Sequence, residues 1–185
     1  MNKIKNQKLH PYLILDRDGT IIVDRIYLSE PSQIEYLPGI FDALKDLRDK
    51  GFKFLVATNQ SGIAIGKLTE EQLHAVHKKM ADDLAKHNLT IEHYYYAPYS
   101  VESNHPMRKP NTGMLDLAKK EWPMDVSKSY MIGDRFTDVI AGARAGLKTV
   151  FLGNDTDIET DMQTYKIRPS YVAKDLRSFS KQDAF

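Results

Sequence analysis

The chain contains no cysteine, which excludes disulfides and thiolate metal sites and fits a reducing compartment. It also lacks an excess of either charge. Lys plus Arg number 26 against 25 for Asp plus Glu, so no global field recruits nucleic acid or an anionic membrane, and any anion site must be local. No apolar run is long enough to span a bilayer, and the basic start Met1 to His10 has no apolar core of the signal-peptide kind. A cytoplasmic protein with no membrane partner is therefore expected. Internal repeats and low-complexity tracts are absent too, so no repeat architecture is indicated.

With 185 residues, 42% of them hydrophobic and 28% charged, the chain suits one globular domain with a real core. Apolar strand-like runs alternate with helical periodicity, the sign of a parallel sheet with crossover helices. The strand-like runs are Leu13 to Leu15, Phe54 to Ala57, Glu92 to Ala97, Ser129 to Gly133 and Lys148 to Leu152. Helical spacing follows at Ile40, Ala43, Leu44 and Leu47 after Pro38-Gly39, and at Leu73, Val76, Met80 and Leu84 behind a Thr69/Gln72 capping box. Further helices are expected at Met114, Leu115 and Ala118, capped by Asn111 or Thr112, and in the Ala-rich stretch before Gly146. The fold class is α/β: a doubly wound, mostly parallel sheet with helices on both faces. Residues 1–185 read as one domain, its core about 11–152, with a polar extension over 153–185 in which Tyr171 to Ala173 suggests an edge strand before a last short helix.

The segment Leu13-Ile-Leu-Asp16-Arg-Asp18-Gly19-Thr20 sets two carboxylates at the end of a buried strand, where ligands gather in such sheets. Two acids this close require a cation or a shared proton, and a hard divalent ion such as Mg²⁺ suits them. An ordinary Asp/Gly turn is the plainer alternative. A helix-loop-helix calcium loop fails, because Gly19 falls fourth and Tyr27 twelfth, where glycine belongs sixth and glutamate twelfth. His74 and His77, three apart on a helix, read as helix surface rather than as metal ligands, since no further ligand candidates flank them.

Polar clusters recur at the carboxyl ends of four strands, and the conjunction is a parts list for phosphoryl transfer. Asp16, held rigidly at the strand end, suits a nucleophile forming an aspartyl phosphate, and Asp18 a general acid and base. Asp134 completes a Mg²⁺ shell, with Asp138 joining or orienting it. Thr58 offers a hydroxyl and Asn59 a backbone N–H to phosphate oxygens. Lys109 supplies a point charge, and Arg108 a fork for a second phosphate or carboxylate.

In order, Asp16-x-Asp18-Gly19-Thr20, Thr58-Asn59, Lys109-Pro110 and Gly133-Asp134 with Asp138 resemble the four motifs of the haloacid dehalogenase (HAD) superfamily phosphatases. Finer runs, Thr-Asn-Gln-Ser-Gly-Ile-Ala-x-Gly-Lys and Arg-Lys-Pro-x-x-Gly-Met among them, resemble its heptose-bisphosphate phosphatases and the related histidinol phosphatases. The resemblance implies a Mg²⁺-dependent phosphomonoesterase with Asp16 as nucleophile, Asp18 as acid/base, and metal on Asp16, the carbonyl of Asp18, and Asp134. Thr58 and Lys109 would hold the transferring group. Arg17, Asp24, Arg25, Tyr27, Asn59, Gln60, Ser61, Arg108 and Arg135 would meet the substrate. A heptose 1,7-bisphosphate is the first implied substrate, on the route to ADP-heptose and lipopolysaccharide core. Histidinol phosphate or another small sugar phosphate is the alternative in the same class, and a phosphate-binding protein without turnover is the alternative outside it.

The chain departs from this family in one loop. The structural zinc loop before Arg-Lys-Pro has no counterpart here: its places read Ala97-Pro-Tyr99 and His105-Pro-Met107, so no structural zinc is expected. The connections between Thr20 and Pro38 and between Gly62 and Thr69 are too short for a separate cap domain, so an open site is expected. The partner expected is a small phosphorylated molecule, with no nucleic acid, and the chain is expected to act as a monomer.

Overall fold

The computed structural model describes residues 8–182. Residues 1–7 of the basic start and residues 183–185 lie outside the described residues. Six strands, β1 (Tyr12–Leu15), β2 (Lys53–Asn59), β3 (Ile91–Ala97), β4 (Tyr130–Gly133), β5 (Lys148–Leu152) and β6 (Tyr171–Ala173), form one sheet of order β3-β2-β1-β4-β5-β6. Every pairing in it is parallel. The connections carry α1 (Ile40–Asp49), α2 (Ser61–Ala64), α3 (Glu70–Ala85), α4 (Gly113–Glu121), α5 (Phe136–Arg144) and α6 (Asp155–Tyr165), and α7 (Leu176–Ser180) follows β6.

The pleat divides the apolar residues between two cores. Leu13, Leu15, Phe54, Val56, Ile132 and Val150 face one layer, built with α1, α3 and α7. Tyr12, Ile14, Leu55, Ala57 and Met131 face the other, packed on α4 and α5. All four residues of β1 are fully buried, which accounts for its continuous apolar run. Burying each large aliphatic side chain contributes about 1.5–3 kcal/mol before chain entropy is charged against it. The successive tyrosines of β3 alternate as the period-2 pleat requires: Tyr94 packs on the first core, and Tyr95 enters the second.

Local signals place the helices as expected. Thr69 Oγ1 accepts from Gln72 N–H at 3.2 Å and Gln72 Oε1 accepts from Thr69 N–H at 3.0 Å, closing the capping box that starts α3. Thr112, not Asn111, is the N-cap of α4. The helix α6 is not legible in the sequence. Its one buried residue is Ile158, so it carries no apolar stripe, and it is started by Asn154 and Asp157 at a helix end that favours acids. The segment beyond 152 does more than extend the core. Strand β6 pairs with β5, and Leu176 and Phe179 of α7 are buried in the first core.

Helix α5 lies close on the sheet because Gly142 has no side chain. A Cβ there would stand 2.6 Å from Met131 Cβ and 2.6 Å from Thr149 Cγ2, closer than packed carbons tolerate. Gly142→Ala gains about 1 kcal/mol of helix propensity but forces α5 off β4 and β5, an overpacking cost of about 1–3 kcal/mol. A lower midpoint in urea unfolding, at unchanged m-value, is the expected result.

Candidate active site

In a parallel sheet of this order, the crevice opens where the chain turns to opposite sides, between β1 and β4. Asp16 is the residue after β1, and its N–H donates to Ile132 O on β4 at 2.8 Å, so the first acid is locked to the neighbouring strand. Asp134 is the residue after β4. The two loops meet through two glycines. A Cβ on Gly19, where φ is +73°, would stand 2.1 Å from Asp134 Oδ2, and one on Gly133 would stand 2.0 Å from Asp138 Oδ2. Each glycine thus admits a carboxylate into space a side chain would fill.

Asp16, Asp134 and Asp138 each present an oxygen within 4.8 Å of the others. The carboxylate of Asp18 stands outside this group. Lys109 Nζ enters it, forming ion pairs 3.0 Å from Asp16 Oδ1 and 2.6 Å from Asp138 Oδ1, and donates a hydrogen bond to Ala57 O at 2.6 Å. Asp138 is fully buried, and its other oxygen accepts from Arg135 N–H at 3.1 Å. It therefore ties Lys109 to the start of α5. The Oδ1 atoms of Asp134 and Asp138 are both buried with no hydrogen-bond partner, and Asp134 differs in that no ammonium pairs with it.

Three carboxylates facing one ammonium leave excess negative charge. Burial lowers the Lys109 pKa, but Asp138 and Asp16 outweigh it and hold the ammonium above its ordinary range. Burial, with the Asp16 charge added, raises Asp134 to about 6. A hard divalent cation relieves that repulsion, and a donor set of carboxylate oxygens, Asp134 Oδ1 among them with neither hydrogen bond nor ion pair, is the set Mg²⁺ prefers.

Asp18 lies at the pocket wall and is held by its neighbours. Arg17 Nη2 donates to its two oxygens at 3.0 and 2.9 Å and Nε at 3.3 and 3.2 Å. Gln60 Nε2 donates to Asp18 Oδ2 at 3.0 Å and to Thr58 Oγ1 at 2.8 Å. Burial raises the Asp18 pKa, and Arg17 works against it. Because Thr58 Oγ1 accepts from Gln60, its own O–H is left to donate elsewhere.

Several residues expected at the substrate depart from that expectation. Arg17 does not line the pocket. Its side chain is 1% exposed and turned onto Asp18, because a guanidinium inside the protein must spend its donors on acceptors. Arg25 also points away, to Glu35 Oε2 at 2.5 Å on the surface. The amide nitrogen of Gln60 is engaged by Asp18 and Thr58. The Asn59 side chain makes a reciprocal pair with the backbone of Lys109, both bonds 3.0 Å, clamping the end of β2 to the loop between β3 and α4. His77 is buried, not on the helix surface, and its ring stacks on Tyr94.

The pocket holds about 410 Å³ and opens to solvent. Asp24, Tyr27, Ser61, Arg108 and Arg135 are among the residues that line it. Asp24 accepts from Arg135 Nη2 at 2.8 Å, and Arg108 Nη1 donates to Tyr99 O at 3.0 Å. Sequence reasoning missed Val101, Asn104 and Thr137, which also line it; isolated residues in loops or at a helix start carry no periodic signal. The loop bearing Arg108 is closed by Tyr99 stacked on His105, ring centroids 3.4 Å apart and planes 16° from parallel. Asn111 Nδ2 adds bonds to Asn104 O at 3.2 Å and His105 O at 3.1 Å.

This sheet order with carboxylates from β1 and β4 around a buried lysine defines a HAD-like hydrolase, and a family model described as HAD-hydrolase-like matches residues 106–179. The chain is 40% identical over 149 residues to the D-glycero-beta-D-manno-heptose-1,7-bisphosphate 7-phosphatase of Escherichia coli K12, covering 77% of this chain and 78% of that one. The enzyme of the same name from Rhodopseudomonas palustris is 36% identical over 157 residues, covering 80% and 87%. Among solved structures, the D,D-heptose 1,7-bisphosphate phosphatase of B. bronchiseptica, complexed with magnesium and phosphate, superimposes with a TM-score of 0.81 at 28% identity over 93% of this chain and 97% of that one. The chain belongs to the HAD-like phosphatases, in the family of these heptose-bisphosphate 7-phosphatases. It is a phosphoric monoester hydrolase.

The raised Asp134 pKa has a signed consequence. Without metal, the folded protein keeps a proton on Asp134 that the unfolded chain has lost between about pH 4 and 6, so this group costs stability as pH rises through that window. In EDTA at about pH 8, Asp134→Asn should therefore be more stable than the parent by about 1–2 kcal/mol. Added Mg²⁺ should raise the melting temperature of the parent far more at about pH 8 than at about pH 5.5, and that of the variant little at either. Calorimetry across this grid checks both.

Proposed function

We propose that the chain hydrolyses the 7-phosphate of D-glycero-D-manno-heptose 1,7-bisphosphate, with Asp16 as nucleophile and Asp18 as acid and base. The observation that carries the reading is the Asp16–Lys109–Asp138 arrangement at the floor of the pocket, with Asp18 in its wall and two guanidiniums, Arg108 and Arg135, in its outer part. One phosphate sits at the floor. The distal phosphate, on C1, meets the guanidiniums, which bind an anion through paired donors. The substrate choice also rests on the names of the relatives.

In the first step an Asp16 carboxylate oxygen attacks phosphorus as the bond to the sugar oxygen breaks, and Asp18 passes a proton to that oxygen so that it leaves as an alcohol. In the second, Asp18 takes a proton from water, which attacks the aspartyl phosphate, releasing phosphate and restoring the Asp16 carboxylate. Lys109 holds Asp16 in place and offsets charge on the transferring group, and the Thr58 O–H donates to its oxygens. Asp16, Asp134 and the Asp18 carbonyl would hold Mg²⁺, which supplies charge neutralisation for the phosphoryl oxygens when bound. The product, a heptose 1-phosphate, leads towards ADP-heptose and lipopolysaccharide core. The enzyme acts in the cytoplasm, as a monomer, on this small molecule.

Phosphate release measured with Mg²⁺ on the heptose bisphosphate and on histidinol phosphate tests the substrate. A higher kcat/KM on histidinol phosphate overturns it. Asp16→Asn should lower kcat by about a thousandfold or more without lowering the melting temperature. Arg135→Ala should raise KM about tenfold at nearly constant kcat, since it removes binding shared by ground and transition states.

A further inference from the structure

We propose that His77, on the buried face of α3, is a positioning residue for proton transfer by Asp18, acting through the Arg17 guanidinium. The inference rests on the assignment of Asp18 as the acid and base.

Arg17 is almost fully buried, and a buried guanidinium is tolerated only when its donors find acceptors. Its Nε and Nη2 are taken by the fork onto Asp18. The remaining nitrogen, Nη1, lies 3.4 Å from His77 Nε2. Since Arg carries no acceptor, the histidine nitrogen must be the acceptor, so the imidazole is neutral with its proton on Nδ1. Its surroundings favour that form: burial, with the Arg17 charge added, pushes His77 down to about 3. The ring is fixed by stacking on Tyr94, centroids 4.6 Å apart and planes 21° from parallel, and by the edge of Tyr96 at 6.5 Å.

The result is a rigid line from helix to reacting group: Tyr94 fixes His77, His77 fixes Arg17, and Arg17 fixes one side of Asp18 while Gln60 fixes the other. Solvation of the guanidinium alone would need an acceptor but not one on a rigid ring. A proton donor misplaced by about 1 Å can lose two orders of magnitude in rate. As the bond from phosphorus to the sugar oxygen breaks, the Asp18 proton moves to that oxygen and Asp18 becomes a carboxylate, the form that the Arg17 fork stabilises.

The test separates proton transfer from folding. An alkyl phosphate needs its leaving oxygen protonated, whereas p-nitrophenyl phosphate expels a stable anion and does not. His77→Phe keeps a ring to stack and removes the acceptor; His77→Leu serves if Phe does not fold, and His77→Gln retains an acceptor. With Mg²⁺, His77→Phe should lower kcat/KM on the heptose bisphosphate at least about tenfold and on p-nitrophenyl phosphate less than about twofold, with His77→Gln within about threefold of the parent on both. The ratio of the two constants does not depend on the folded fraction. Equal losses on the two substrates, or none, overturn the positioning role. Asp18→Asn is the reference: if it lowers both constants alike, the acid assignment itself fails and this inference with it.

Discussion

The site depends on one electrostatic constraint: the carboxylates of Asp16, Asp134 and Asp138 converge in a buried space around the ammonium of Lys109. Each acid alone is costly to bury, and a single lysine cannot neutralise three. The fold absorbs part of that cost with the ion pairs to Asp16 and Asp138 and leaves one oxygen of Asp134 unpartnered. That remaining demand for positive charge is what makes the place suited to a divalent ion and a phosphate. The glycines at 19 and 133 exist within the same constraint, because a side chain at either would occupy the space of a carboxylate.

Asp18, the proposed general acid, is supported from a different direction. Asp18 sits two residues from Asp16, yet its carboxylate is turned away from the acidic group and into the fork of Arg17. Separating the two acids in this way lets one sheet end supply both the proposed nucleophile and the proposed proton-transfer group. The cost is a guanidinium buried under α3, which the His77 nitrogen helps to satisfy.

Selectivity falls to loops, since among the described residues no separate cap covers the pocket. In the loop that bears Arg108, ring stacking between Tyr99 and His105 and the bonds of Asn111 fix an irregular backbone beside the pocket. The Asn59 clamp anchors the same loop to the sheet at Lys109. The charged floor and the outer guanidiniums are thus held by connected parts of the chain.

Much of this was legible from residue order alone. Period and punctuation were enough for five strands, the edge strand and most helices, because buried parallel strands must be apolar throughout and amphipathic helices must repeat. The candidate residues Asp16, Asp18, Thr58 and Asp134 were also readable, since each lies at or just after the end of a strand on the crevice side, while Lys109, deep in the loop after β3, was legible only through its Arg-Lys-Pro run. Helix α6 was not, for want of an apolar stripe. Nor were the directions of side chains. Arg17 and Arg25 look like substrate ligands in sequence, and only packing turns one onto Asp18 and the other onto Glu35. His77 looks like a surface histidine until α3 is laid on β3 and its ring is buried on Tyr94. By itself the sequence determined the fold class and the reaction, because both follow from local pattern and residue chemistry. The tertiary structure alone decided which charged groups face the substrate and which hold other groups in place, because that depends on distances between residues far apart in the chain.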